Sequence, residues 1–188
     1  MKANTSYLIL IISISLVLYS CENDIKTVNL IAGQGEALVE RGKDVEILYS
    51  DSGFIHIMIK APTVISYKSK EPYTEMPDGV EIYFYGPDRE VESFITADYG
   101  IRYEDEEIMK VRGNVIAQNS KGEKLNAEEL IWDEKEEKIY SDKFVKIQTE
   151  DEIIYGEGFE ANQEFTDYKI KNIKGTINIV ESDTTDTE

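Results

Sequence analysis

The chain is poor in the side chains from which reactive centres are built. It has a single cysteine, Cys21, and a single histidine, His56, in 188 residues. One cysteine excludes an internal disulfide, a cysteine-rich zinc site and an iron–sulfur cluster. One histidine removes a histidine-based metal site and a Ser-His relay. His56 occupies an alternate position of Phe54-Ile55-His56-Ile57-Met58-Ile59, which predicts a strand residue on a solvated face. Basic residues are also scarce: 20 Lys and Arg stand against 38 Asp and Glu, for a net charge of −18. That balance excludes a nucleic-acid partner, whose phosphates recruit Lys and Arg. It also argues against a domain that adheres to anionic headgroups through basic residues. The acids fall in short turn-like runs rather than one patch, so their first meaning is solubility.

Other absences narrow the function further. No P-loop and no G-x-G-x-x-G after a strand occur. The helical period is weak everywhere beyond the first twenty residues. Carboxylate pairs such as Asp98/Glu104 and Asp133/Glu136 lie in acidic turns without a pocket signature, so glycosidase chemistry is not indicated. Neither an enzyme nor a cofactor or metal centre is expected.

The N-terminus carries the one long apolar run. Lys2 opens a short basic region, and Tyr7 to Leu18 reads YLILIISISLVL. Twelve residues are too few for a helix to span about 30 Å of hydrocarbon. They suit the apolar region of an export signal. The run ends Leu18-Tyr19-Ser20-Cys21, which resembles the lipobox of bacterial lipoproteins. The resemblance implies a signal peptide over 1–20, cleavage before Cys21 and acylation of Cys21 as a membrane anchor. Two or three acyl chains hold a protein stably where one does not. The alternative is an uncleaved anchor with an incidental cysteine. Export to a compartment without ATP lowers the prior for kinases, ATPases and dehydrogenases.

After the anchor, residues 21–44 show little apolar periodicity and read as a tether. From Val45 the pattern is that of strands and tight polar turns. Val45, Ile47 and Tyr49 alternate, Asp51-Ser52-Gly53 turns, and Ile55, Ile57, Ile59 and Ala61 share a face. Pro62 separates that strand from Val64–Tyr67, since it cannot donate a ladder hydrogen bond. Pro72, Pro77 and Asp78-Gly79 frame a loop. Val80, Ile82 and Phe84 alternate next, then Ile95, Ala97, Tyr99, Ile101 and Tyr103. The stretch Val111 to Phe159 is the most regular. Val111, Gly113, Val115 and Ala117 alternate, as do Leu125 with Ala127, Leu130 with Trp132, and Val145 with Ile147. Residues 181–188, ESDTTDTE, read as a disordered acidic tail.

Ala61, Ala97, Ala127 and Ala161 punctuate this pattern every 30 to 36 residues. Each unit holds a few short strands, too little to bury its own apolar face, so units must stack on their neighbours. The expected fold is all-β, an elongated structure of stacked antiparallel strands with an apolar inner face. An ordinary sandwich with chance alanines is the alternative.

The ordered series Tyr49-Ser50-Asp51-Ser52-Gly53, Ala61-Pro62, Pro72-Tyr73, Gly113-Asn114-Val115, Gly122-Glu123-Lys124-Leu125, Glu129-Leu130-Ile131-Trp132-Asp133, Ile139-Tyr140-Ser141 and Gly156-Glu157-Gly158-Phe159-Glu160-Ala161 resembles a known family. It is similar to the LptC-type periplasmic component of lipopolysaccharide export, in a lipoprotein form, and to the related OstA-like repeat. The resemblance covers residues 45–180 and implies an open β-jellyroll there. It implies transfer rather than bond-making. Lipopolysaccharide would be accepted from an inner-membrane ABC transporter and passed to a periplasmic bridge protein of the same fold, related to OstA and LptA. The chain would sit on the periplasmic side, lipid-anchored to the inner membrane. Better-known members carry a transmembrane helix where this chain has a lipobox.

Transfer of that kind calls for a long apolar slot, because each CH₂ kept from water is worth about 0.8 kcal/mol. The lining candidates are Ile55, Ile57, Ile59, Val80, Ile82, Phe84, Val111, Val115, Leu125, Leu130, Trp132, Ile139, Val145, Ile147 and Phe159. Plain core packing is the competing role for each, and a one-residue bulge would reverse a whole set. Edge strands near Val45 and Ile47, and near Ile177 and Ile179, are expected to pair with partners by strand addition. The resemblance assigns the first edge to the transporter and the second to the bridge. Gly156 and Gly158 predict either a close strand approach or a bulge. A closed β-barrel lipoprotein binding another small lipid is the remaining alternative.

Overall fold

The computed structural model describes residues 38–179. The expected export signal over 1–20, Cys21, most of the expected tether over 21–44 and the expected tail over 181–188 lie outside the described residues. Eleven strands form one antiparallel sheet: β1 (Leu38–Asp51), β2 (Phe54–Lys68), β3 (Tyr73–Met76), β4 (Val80–Tyr85), β5 (Val91–Ala97), β6 (Tyr99–Tyr103), β7 (Ile108–Asn119), β8 (Lys124–Asp133), β9 (Lys138–Gln148), β10 (Glu152–Asn162) and β11 (Tyr168–Asn178). The described chain is an all-β jellyroll, as the alternation predicts.

The sheet is creased along its middle. β2 pairs with β4 through Ile57–Lys60 but with β3 through Ile65–Tyr67. β7 pairs with β6 through its first half and with β5 through its second. The long strands therefore run through two leaves. One leaf is completed by β4 and β5, the other by β3 and β6. The β1–β2 pairing passes from Lys43/Thr63 to Val45/Ala61 without pairing Asp44 or Pro62, and β5 gives way to β6 at Asp98. The ladder between β7 and β8 breaks between Arg112 and Val115, and that between β9 and β10 between Glu157 and Phe159. Left-handed backbone marks this line at Asp44, Gly79, Gly113, Asn114 and Gly158. Each irregularity twists and bends its strand. Gly113 at φ 78° and Asn114 at φ 46° show why a Gly-Asn pair stands there: these residues tolerate a conformation that clashes with most side chains. Asn114 Nδ2 donates to Asp98 Oδ2 at 2.6 Å, and Asp98 N to Gly113 O at 3.0 Å, which ties β7 to the β5–β6 junction.

Four expectations are corrected here. β1 begins at Leu38, ahead of the alternation that starts at Val45, because backbone pairing to β2 continues where side chains lose their apolar rhythm. Pro62 does not end a strand. It falls at the crease, where no ladder donor is needed. The segment between Pro72 and Pro77 is a strand, β3, with both prolines just outside it. Ile95 and Ala97 do not share a face with Tyr99 and Tyr103, because Asp98 shifts the parity: Ile95 and Ala97 are buried, whereas Gly100 is the buried residue of β6. Ala61, Ala97 and Ala127 lie beside the crease, each opposite a valine, Val45, Val80 and Val115. Ala161 stands instead in the second leaf, opposite Ile139, so the fourth alanine is not equivalent.

The core is a single apolar cluster between the leaves. Ile82, Leu125, Val145 and Ile147 contribute from the first leaf, and Met109, Leu130, Trp132, Ile139 and Phe159 from the second. Each large aliphatic or aromatic side chain so buried stabilises by about 1.5–3 kcal/mol.

Candidate functional site

The interleaf space is the candidate site, and its geometry follows from the crease. Because every long strand changes leaf there, its two apolar halves face each other. Leu125 and Ala127 are odd-numbered, Leu130 and Trp132 even, and the ladder break between Ala127 and Ile131 accounts for the switch. The leaves touch directly where the Trp132 ring meets Phe84 edge-on, with centroids 5.3 Å apart and planes at 87°. Such a pair adds about 0.5–1.5 kcal/mol beyond its buried area. Trp132 Nε1 is buried without a hydrogen-bond partner.

Of the fifteen lining candidates, the structure brings all but two into this buried cluster. Ile57 is half-buried and packs against its rim, and Ile55 is 44% exposed. Ile55 lies beyond the register shift at Tyr49/Ser50, at the start of β2. The interior is thus packed shut, leaf against leaf.

Opposite the crease, the hairpin ends of the two leaves form a polar rim. Arg102, on β6, reaches Glu134 with Nε to Oε1 at 2.6 Å and Nη2 to Oε2 at 2.8 Å. That bidentate contact raises the Arg102 pKa further and outweighs burial, which lowers it. Tyr49, from the first leaf, comes close enough to feel both charges, and burial raises its phenol pKa. Thr74 Oγ1 donates to Glu104 Oε1 at 3.0 Å, and Lys68 Nζ stands 3.7 Å from the same oxygen. Asp133 accepts from Glu136 N at 2.9 Å. These carboxylates hold turns and pair with cations. Among the described residues no group of three or more acids, histidines or cysteines is placed to hold a metal.

Among the described residues β1 pairs only with β2 and β11 only with β10, so the two end strands do not meet and the barrel alternative does not describe this fold. Val45 and Ile47, on β1, pack against the core, whereas Ile177 and Ile179, at the other end, are exposed. Gly156 is the close approach: a Cβ there would meet Ile170 Cγ2 and come within 3.0 Å of Asn172 O. Gly158, at φ 81°, is the bulge.

Sequence reasoning missed Phe165, Ser93 and Asn119. Phe165 is buried inside the β10–β11 turn, Ser93 Oγ donates to Gln163 O at 2.6 Å, and Asn119 Nδ2 donates to Phe165 O at 2.9 Å. The one available signal was a lone aromatic in the polar run Asn162-Gln163-Glu164-Phe165-Thr166-Asp167.

An antiparallel sheet creased into two leaves over an apolar interior, with the outer sides of β1 and β11 open among the described residues, defines an open β-jellyroll domain. Residues 6–178 match the profile of the family described as lipopolysaccharide-assembly, LptC-related, and the chain belongs to that family. Membership places it in lipopolysaccharide transport and assembly, among components of the periplasm and inner membrane. No curated protein matches the chain.

Proposed function

We propose that this protein is a periplasmic carrier anchored through acylated Cys21 to the inner membrane. It accepts lipopolysaccharide from an ABC transporter and passes it to a bridge protein of the same fold. It makes and breaks no covalent bond. The observation that carries this reading is the interleaf interior, which is apolar along its length and bounded by two open edges. Acyl chains lie between the leaves, contacting the inward residues from Ile57 and Phe84 to Leu130 and Ile147, while the sugars stay in water beyond the rim. Many weak apolar contacts hold a lipid without one deep trap, since the stabilisation is spread over about 25 cal/mol per Å² of buried surface.

Partners add strands at the edges. Unpaired N–H and C=O groups make an end strand a template for another chain. β1 takes the transporter side and β11 the bridge side. Leu48 on β1 and Ile173 and Ile177 on β11 are exposed apolar residues at these ends, suited to burial in such a contact.

Photo-crosslinking residues at Leu130 and Ile147 are expected to capture lipopolysaccharide in cells. Capture only at the outward-facing Lys146 would defeat the interior route. Cys21→Ala is expected to abolish acyl labelling and leave an uncleaved precursor, and normal processing of that variant would refute the anchor. Solubilised envelopes should yield the transporter subunits together with this chain.

A further inference from the structure

The two leaves are bound together across their open side by the turn between β10 and β11. Residues 163–167 form it, and their composition belongs in water. Phe165 nevertheless is 1% exposed, with its ring stacked on Phe159 at 5.1 Å and beside Tyr168 at 6.1 Å. Its φ of 59° is a left-handed conformation rare for a bulky side chain, which only an over-determined surrounding sustains. Asn162 shapes the turn: Thr166 N and Asp167 N both donate to its Oδ1 at 3.0 Å. The first leaf holds the turn by Ser93 Oγ and Asn119 Nδ2, each donating to a turn carbonyl, Gln163 O and Phe165 O. Gln163 Oε1 is buried with no donor.

A cavity of about 360 Å³ lies alongside. Asp51, His56, Ile57, Phe84 and Tyr85 line it from the first leaf, and Glu137, Gln163 and Glu164 from the second. It reaches Ile57 and Phe84 of the interior, and Phe84 is one contact from Trp132. Beyond it the core residues Trp132, Leu130, Ile139 and Phe159 are buried.

On the reading that the interior carries lipid, we propose that Phe165 is its plug: an acyl chain enters by the cavity beside Gln163 and takes the place on Phe159 and Tyr168 that Phe165 fills. A benzyl group and a segment of acyl chain are equivalent occupants of an apolar slot, so the exchange keeps the slot dry. The two carbonyls released from Ser93 and Asn119 are met by water once the turn lifts, which makes the opening reversible. The orphaned Gln163 oxygen is satisfied in the lifted state as it is not in the closed one.

Trp132 is the only tryptophan and lies in the interior, so its emission reports arrival of a chain. The probe is a phospholipid with brominated acyl chains, with lipopolysaccharide as competitor, added to the full-length lipoprotein. Phe165→Ala should quench at least fivefold faster than wild type, and Ser93→Ala two- to threefold faster. Joining Ser93→Cys to Gln163→Cys with a cleavable thiol cross-linker should slow quenching at least tenfold, and cleavage should restore it. Equal rates in wild type, Ser93→Ala and the cross-linked form overturn the plug while leaving a lipid-binding interior. Absence of quenching in every form, including the cleaved one, overturns the lipid reading itself. If Phe165→Ala fails to fold, the Ser93→Ala and cross-linked comparisons decide.

Discussion

The centre of the sheet and its C-terminal end carry the same alternating pattern to opposite outcomes. In β7, β8 and β9 inward residues are buried: Leu125, Ile139, Val145 and Ile147 are all 0% exposed. In β11 no residue is buried, and Ile173, which faces the same side as Val145 through Gly156, is 61% exposed. The local sequence is not what differs. The centre has an opposing leaf over it, whereas only Tyr168 and Ile170, at the start of β11, pack against the core and the strand is exposed beyond them. Burial in this fold is conferred by the facing leaf, and it ends where that leaf ends. An apolar residue at the end strand is therefore available to a partner or a ligand, whereas one at the centre must first be uncovered.

The sharpest way to break the comparison is a matched pair of truncations. Ile147→Ala should destabilise by about 2–5 kcal/mol, as expected for a buried aliphatic residue. Ile177→Ala should change stability by about 0.5 kcal/mol or less. Denaturant midpoints measure both, and equal losses would show that β11 is covered after all. Gly156→Ala comes next. Its Cβ would press on Ile170 and the Asn172 carbonyl, so β11 must shift, at a cost of about 1–3 kcal/mol. Hydrogen exchange should quicken in β11 and stay slow in β7–β9. Gly113→Ala follows, adding a side chain at φ 78° within 3.1 Å of Asp98 Cβ, at about 1–2 kcal/mol, with both leaves loosened together because the crease serves both.

The smallest effect is alkaline. Burial first, then a hydrogen bond to Glu75, pushes the Tyr99 phenol up to about 12, while a hydrogen bond to Glu81 does the same for Tyr83. A raised folded-state value means the folded protein holds the proton where the unfolded chain has lost it. The stabilisation is complete below pH 10 and is lost as pH rises from about 10 to 12. Absorbance titration should therefore show a late tyrosine component, and Glu75→Gln should move the Tyr99 part of it to lower pH.

Much of this was legible in the sequence because period-two alternation and polar turns are local signals. Val115/Ala117, Leu125/Ala127 and Val145/Ile147 fell on the buried face as read. What was not legible is non-local. The crease at Asp98 leaves Ile95 to Tyr103 looking like one strand, since a change of pairing partner has no compositional mark. β3 hid between two prolines that sit just outside its ladder. Nor does any spacing relate Arg102 to Glu134, or Phe165 to Ser93, because these contacts exist only once the leaves face each other. Gly113-Asn114 was the exception, a visible pair whose left-handed backbone turned out to be the bend itself.

The order of the strands has a consequence for how the protein is made. From β7 to β11 each strand pairs with the next in sequence, so this half is a meander of short-range hairpins. Ahead of β7, β2 must pair with β4 as well as β3, and β7 must reach back to both β5 and β6. Local pairings form quickly, and those that close long loops form slowly. A chain emerging from its amino end therefore presents its topologically harder half first and adds its easier half afterwards, hairpin by hairpin, ending among the described strands with β11.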